Sequence, residues 1–272
     1  MFSLGIVNPL DLKMIFPKIK NEVIFQNHEI SISYINDELE INGSGDTVFQ
    51  NEIDKIDYKV SKNKDQIDFN SNLILSKNPV EFELFNYKKK EDTSLKINIL
   101  GKKKLREDFI FEKIFFQENQ NSIFIKNLSL STDDKIKNID SVDLNFLDEE
   151  NFQNKIQINR NGKIYEIKGN SLNANKIVDH LLIKGGKKKL NIFKNDLKVN
   201  FDIKEIYLDK DNVLYDLFGN LNLVNNKIFE LNLNSNFSNQ ENIKLTISNN
   251  GKDQITTLFS NRAKPLVGRY KF

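Results

Sequence analysis

His28 and His180 are the only imidazoles in this 272-residue chain, and it contains no cysteine. A zinc site needs closely spaced Cys, His or carboxylate ligands, and neither histidine has a second ligand at such spacing. General-base chemistry needs a nucleophile or a paired carboxylate within reach; nothing of that kind stands beside His180, which reads as a helix-end or surface residue. The lack of cysteine removes a disulfide framework, a thiolate centre and a cysteine nucleophile, and it fits any redox compartment.

Two segments imitate known loops. GGKKKL, Gly185 to Leu190, suggests a phosphate-binding loop, but Leu181 stands where that motif needs its first glycine and no Ser or Thr follows the lysine. DKDNVLYD, Asp209 to Asp216, puts acidic residues at the first and third places of a calcium loop, then Val213 at the fifth and no glycine at the sixth. It reads as a polar hairpin connection. The lysine runs Lys88 to Lys90, Lys102 to Lys104 and Lys187 to Lys189 are expected between strands, as solvated turns that deter edge-to-edge aggregation. Contact with anionic lipid headgroups is the functional alternative. The reading is therefore of a non-enzyme with no catalytic residue, no metal site and no cofactor.

Bulk properties narrow the partners. Forty basic against 38 acidic residues leave a formal charge of +2, too little for a general nucleic-acid binder that must neutralise phosphates. The apolar share of 39% is enough for one large β domain or two ordinary ones. No stretch reaches the roughly 18 uninterrupted apolar residues of a membrane span, and MFSLGIVNPLDLKMIF lacks the basic start and cleavage site of a signal peptide.

The elements that must carry any function are strands. Leu197, Val199, Phe201 and Ile203 alternate with Lys198, Asn200, Asp202 and Lys204, a period of two that puts the apolar side chains on one face. The same alternation recurs at Leu217, Gly219, Leu221 and Leu223, at Phe229, Leu231 and Leu233, and at Ile243, Leu245 and Ile247. Upstream it marks Ile30, Ile32 and Tyr34; Ile56, Tyr58 and Val60; Ile67 and Phe69; Val80, Phe82 and Leu84; Leu95, Ile97 and Ile99; and Val142, Leu144 and Phe146. Asn42-Gly43, Asn161-Gly162, Asn225-Asn226 and Asn250-Gly251 supply hairpin turns that tolerate positive φ. An antiparallel meander follows.

Helices are scarce. ANKIVDHLL places Ile177, Val178, Leu181 and Leu182 on one helical face, which predicts a short helix over 174–184 stopped by Gly185-Gly186. A second candidate runs from Asn261 to Arg269 with Pro265 in its first turn. GNSLNANKIVDHLL also echoes GNLNLVNNKIFELNL, the mark of a possible repeat. These elements divide the chain into a β-meander section, 1–168, and a second section, 169–272, opened by the short helix.

Something must cover the apolar faces, because each exposed Leu or Ile forgoes about 1.5 to 3 kcal/mol of burial. A second sheet would give a closed β-sandwich, suited to a binding or adhesion module of the cell envelope. The favoured expectation is one long twisted antiparallel sheet curled into an open apolar groove, lined by Leu197, Val199, Phe201, Ile203, Leu221, Leu223, Phe229, Leu231, Leu233, Ile243, Leu245 and Ile247 and covered by acyl chains. About a dozen strands at about 4.8 Å spacing would extend roughly 55 Å.

YEIKGNSLNANKIVDHLL, NDLKVNFDI, NLNLVNNKIFELNLNSNF and TTLFSNRAKPLVGRYKF, in that order, resemble the AsmA-like family of bacterial envelope proteins, its YhdP-type members above all. Gly169, Ser171, Leu172, Ala174 and Ile177 match a segment that opens a short helix in that family. The resemblance covers mainly residues 160–272. It implies a repeating β-groove that carries phospholipid between the inner and outer membranes, a periplasmic location and an inner-membrane anchor. The chain shows no anchor, lacks the Gly-Gly often found after the last helix and halts on Phe272 as a new strand begins, so it is expected to be a middle section of a longer groove.

Overall fold

The computed structural model describes residues 3–7, 18, 22–105, 107–133, 135–182, 193–237, 240–249, 253–264 and 266–267. The chain is mainly β and divides into two compact units, Met1–Asp140 and Ser141–Phe272. The boundary at Asp140 lies upstream of Gly169, which itself sits within a strand paired on both sides.

In the first unit β1 (Ser3–Val7) pairs with β2 (Glu22–Ile35), followed by β3 (Glu38–Val48), β4 (Asp54–Lys62) and β5 (Gln66–Leu75). The chain then leaves the ladder for an insert made of β6 (Glu81–Phe82), a 3-10 turn (Glu83–Phe85) and β7 (Tyr87–Lys88). It returns as β8 (Leu95–Lys104), β9 (Phe109–Glu118), β10 (Asn121–Leu130) and β11 (Ile136–Asn138). All these pairings are antiparallel. Val80, Phe82 and Leu84 thus do not form the strand their alternation predicts. Val80 is fully buried against Leu73, Leu75, Leu95 and Ile97, and tertiary packing overrides the local period.

Asparagine supplies the tight turns. Asn36 and Asp37 have φ of 52° and 65°, and Asn225 and Asn226 have 51° and 57°, the paired positive values that match the twist of flanking strands. Gly162, at 61°, serves the turn after Asn161. Asn42-Gly43 is a correction: both lie inside β3, where Gly43 makes room for the Tyr58 ring that a Cβ would strike. Asn250-Gly251 lies outside the described residues.

The second unit runs β12 (Ser141–Leu147), β13 (Gln153–Asn161), β14 (Ile164–Asn173), α1 (Asn175–Leu182), β15 (Leu197–Tyr207), β16 (Val213–Val224), β17 (Lys227–Asn236), β18 (Asn242–Asn249) and β19 (Gln254–Ser260). The helix forms where the sequence predicts it. The simple meander fails at one point, because β14 and β15 are parallel. Parallel neighbours need a crossover of a dozen or more residues, and the stretch from α1 to Leu197 provides it. The repeat echo does not extend to structure: Gly169 leads through β14 into a helix, whereas Gly219 lies in β16 and leads into a hairpin. Within the second helical candidate Lys264, Leu266 and Val267 are helical among the described residues, with the Val267 N–H donating to Ala263 C=O at 2.9 Å; Pro265 and residues 268–269 lie outside them.

Each unit's strands form a single open ladder, and the only other sheet among the described residues is the two-stranded β6–β7. A sandwich requires two packed sheets, so the closed alternative is not the fold. Among the described residues no helix is long and apolar enough to cross a membrane.

Candidate functional site: the apolar sheet faces

Residues opposite one another on paired strands share a face, so strand register shows which side chains line up. In the second unit one row crosses all eight strands: Val142, Ile158, Ile167, Phe201, Gly219, Leu233, Leu245 and Leu258. Seven steps of about 4.8 Å make it roughly 34 Å long. Beside it run Tyr165, Val199, Leu221, Leu231 and Ile247, and on the other flank Leu144, Ile156, Gly169, Ile203 and Leu217. Leu197 faces Leu223, and Ile243 faces Ser235.

The structure therefore brings the expected groove residues onto one face, with one exception. A bulge between Asn222 and Leu223 puts Ile228 opposite Leu223, and Phe229 falls at the irregularity, about half exposed. Leu197, Val199, Ile203, Leu231 and Ile243 are buried; Phe201, Leu221, Leu223, Leu233, Leu245 and Ile247 are half-buried. The opposite face carries Lys198, Asn200, Asp202, Asn220, Glu230, Lys244 and Ser248. Gly219 is required in the long row: its φ is 153°, and a Cβ there would run into the Asn232 backbone carbonyl.

A polar network fixes one end of this face. Asp148, 5% exposed, accepts from the backbone N–H of Glu150 and of Phe152 (both 2.9 Å) and from Asn173 Nδ2 (2.7 Å). Asn173 N–H donates to Asn154 Oδ1 at 2.7 Å, and Asn173 Oδ1 accepts the Asn175 N–H at the start of α1. Phe152 stacks on Tyr207 at 4.4 Å between centroids. The Tyr207 phenol donates to Glu205 at 2.8 Å, and that hydrogen bond, then burial, pushes its pKa up to about 12. Asp209 to Asn212 form a hairpin connection as expected, with Asp209 accepting from the Asp211 N–H and from Asn212 Nδ2, whereas Val213 to Asp216, expected to belong to it, already lie in β16.

The first unit builds a similar face. Ile32, Ile41, Val60, Phe69, Gly101, Phe111 and Leu128 form one row, and Ile56, Leu73, Ile97, Phe116 and Ile123 another. At one end the insert covers it, with Val80 and Phe82 on the cluster of Leu73, Leu75, Leu95 and Ile97. Buried polar groups pin the insert. Asp54, 2% exposed, accepts from the Ser76 N–H at 3.0 Å and from Asn78 Nδ2, and burial raises its pKa. Glu118, 1% exposed, accepts from Tyr87 OH (2.9 Å), Lys90 N–H (2.8 Å) and Thr93 Oγ1. Burial, then the Glu118 charge, pushes the Tyr87 phenol far up.

Two of the three lysine runs depart from expectation. Lys89 is 3% exposed, its ammonium donating to the Ser76 and Lys90 carbonyls at 2.8 and 3.1 Å, and burial lowers its pKa. Lys102, Lys103 and Lys104 lie within β8, not in a turn: Lys102 pairs with Glu112 at 2.5 Å, and Lys103 sits 3.9 Å over the Phe109 ring. They follow the strand because Phe69 and Phe111 flank Gly101 and extend the ladder past it. Lys187 to Lys189, GGKKKL and the His180 side chain lie outside the described residues. The His28 Nε2–H donates to the Asp46 carbonyl at 2.8 Å, within a β2 bulge where Asn27 has φ of 54°. No cluster of three or more metal-ligating side chains occurs among the described residues.

No family model matches the chain, and neither a curated protein nor a solved structure does.

Proposed function

We propose that the second unit's apolar face binds the acyl chains of phospholipid, and that the chain is a non-catalytic segment of an envelope bridge passing lipid between inner and outer membranes. One observation carries the reading: an apolar row crosses eight strands, and no second sheet among the described residues packs on it. Hydrocarbon covering that row would recover about 1.5 to 3 kcal/mol for each Leu-sized side chain it removes from water. An open sheet also gives a chain-shaped ligand a path along the row instead of a single closed pocket. The AsmA-like resemblance supplies the periplasmic location and the inner-membrane anchoring of the longer protein as parts of the same proposal.

Native mass spectrometry of gently purified protein, with lipid extraction, tests it. Co-purified phospholipid that is lost in a folded Phe201→Asp or Leu223→Asp variant is the expected result. Lipid-free wild-type protein that also takes up no phospholipid from vesicles sinks the proposal.

A further inference from the structure

Two phenylalanines of the first unit stand on its polar face. Strand register sets Asp57, Asn72, Asn98, Phe115 and Phe124 in one row across β4, β5, β8, β9 and β10, opposite the apolar rows. Phe111 and Leu128 belong to the apolar face, and an unbroken period of two would return Phe115 and Phe124 to it. The bulge at Glu112 and the φ of 50° at Asn127 turn both rings over. Bulges of this kind re-aim side chains and are built features of a sheet. The two rings are half-buried and meet edge to face at 6.1 Å, and Leu100, 37% exposed, shares their face.

The rest of the row presents donors beside an acceptor. Asn98 Nδ2 donates to Asn72 Oδ1 at 2.8 Å and to Asn70 Oδ1 at 3.2 Å, which fixes both amides and leaves their own Nδ2 groups as donors. The Asp57 carboxylate, the next member of the row, is exposed and has no hydrogen-bond partner among the described residues. Asp57, Lys59, Asn70 and Asn72 line a cleft of about 500 Å³ with Glu29 and Ser44, within the size range of ligand sites. The cleft ends at Asn72, two strands from Phe115.

From this arrangement we infer that the first unit's polar face is an oligosaccharide-binding site. A pyranose hydroxyl both donates and accepts, so it needs a donor and an acceptor side by side, which Asn72 and Asp57 provide. A pyranose also has an apolar C–H face, which packs on an aromatic ring, the part given to Phe115. An extended chain of diequatorially linked sugars advances about 5 Å per sugar, close to the about 4.8 Å between strands, so successive sugars meet successive members of the row. Lys113 Nζ lies 5.5 Å from the Phe115 centroid, near the outer limit of a cation–π contact, and gives way to the sugar. The site stands on the first unit alone, whether or not the second unit's apolar face takes lipid.

Isothermal titration of the full chain with cellohexaose and with chitohexaose is the test. Saturable binding of at least one is expected, with maltohexaose, whose axial linkages curl the chain, weaker by about tenfold. Phe115→Ala and Asn72→Ala should each weaken binding by about tenfold. Asn72 is exposed, so Asn72→Ala with an unchanged circular dichroism spectrum decides the matter even if Phe115→Ala unfolds. Asn220→Ala, on the second unit's polar face, and Phe201→Asp, on its apolar face, should bind as the wild type does. Binding of neither cellohexaose nor chitohexaose overturns the inference. So does maltohexaose binding of equal strength, or a folded Asn72→Ala variant that binds no more weakly than Asn220→Ala.

Discussion

One end of the first unit's apolar face lies under a piece of its own chain, where Leu75 and Val80 are fully buried; the second unit's long row, from Val142 to Leu258, is half-buried at Phe201, Leu233 and Leu245. Both faces come from the same period-two pattern. What separates them is the 19-residue excursion between β5 and β8, residues 76–94, which brings apolar side chains and buried polar anchors to one end of the first face. The same alternation therefore makes a core where the chain supplies a cover and an open apolar face where it does not.

The largest effect expected is at the covered end. Leu75→Ala should destabilise the protein by about 2–5 kcal/mol in urea denaturation, the usual cost of emptying a sealed core site. Leu233→Ala, on the half-covered row, should cost at most about half as much, because the site was never fully out of water. Equal costs would mean that both faces are packed cores, and the comparison would collapse.

Gly219→Ala comes next, at about 1–3 kcal/mol, since a side chain at φ of 153° is strained and meets the Asn232 carbonyl. It should also weaken lipid uptake by distorting the long row at its centre. Tyr87→Phe removes one of the donors that hold Glu118 and should cost about 1 kcal/mol, seen as a shifted denaturation midpoint with lipid uptake unchanged.

The smallest effect is in pH dependence. Burial raises the Asp54 pKa, so the folded chain holds that proton to higher pH than the unfolded chain does. Stability from this group is therefore full below the ordinary carboxylate range and is lost as pH rises through the raised value. Asp46, lowered by its hydrogen bonds from Lys55 and Asn27, works in the opposite sense and loses its contribution as pH falls below that range. Asp54→Asn should flatten the denaturation profile on the mildly acidic side and leave the more acidic loss in place.

Strand residues such as Leu197 to Ile203 were legible because the period of two survives wherever one face is apolar and the other polar. It is broken at β9 and β10. A bulge at Glu112 and the positive φ of Asn127 shift the pattern, so FIFEKIFF and SIFIKNLSL do not read as simple alternation. The bulge beside Leu223 hides the place of Phe229 in the same way. The parallel β14–β15 pair was not legible either, since nothing local distinguishes a crossover helix from a hairpin excursion. Nothing in the sequence singles out Asp148, Asn154 and Asn173; their network closes only when strand ends up to 25 residues apart meet.

The central claim is that the second unit's eight-strand row is a hydrocarbon-binding face, and native mass spectrometry of wild-type protein beside Phe201→Asp tests it most directly. The account predicts phospholipid adducts on the wild type, and none on a variant whose circular dichroism and denaturation midpoint match. Adducts of equal abundance on both proteins, or on neither after incubation with phospholipid vesicles, would contradict it.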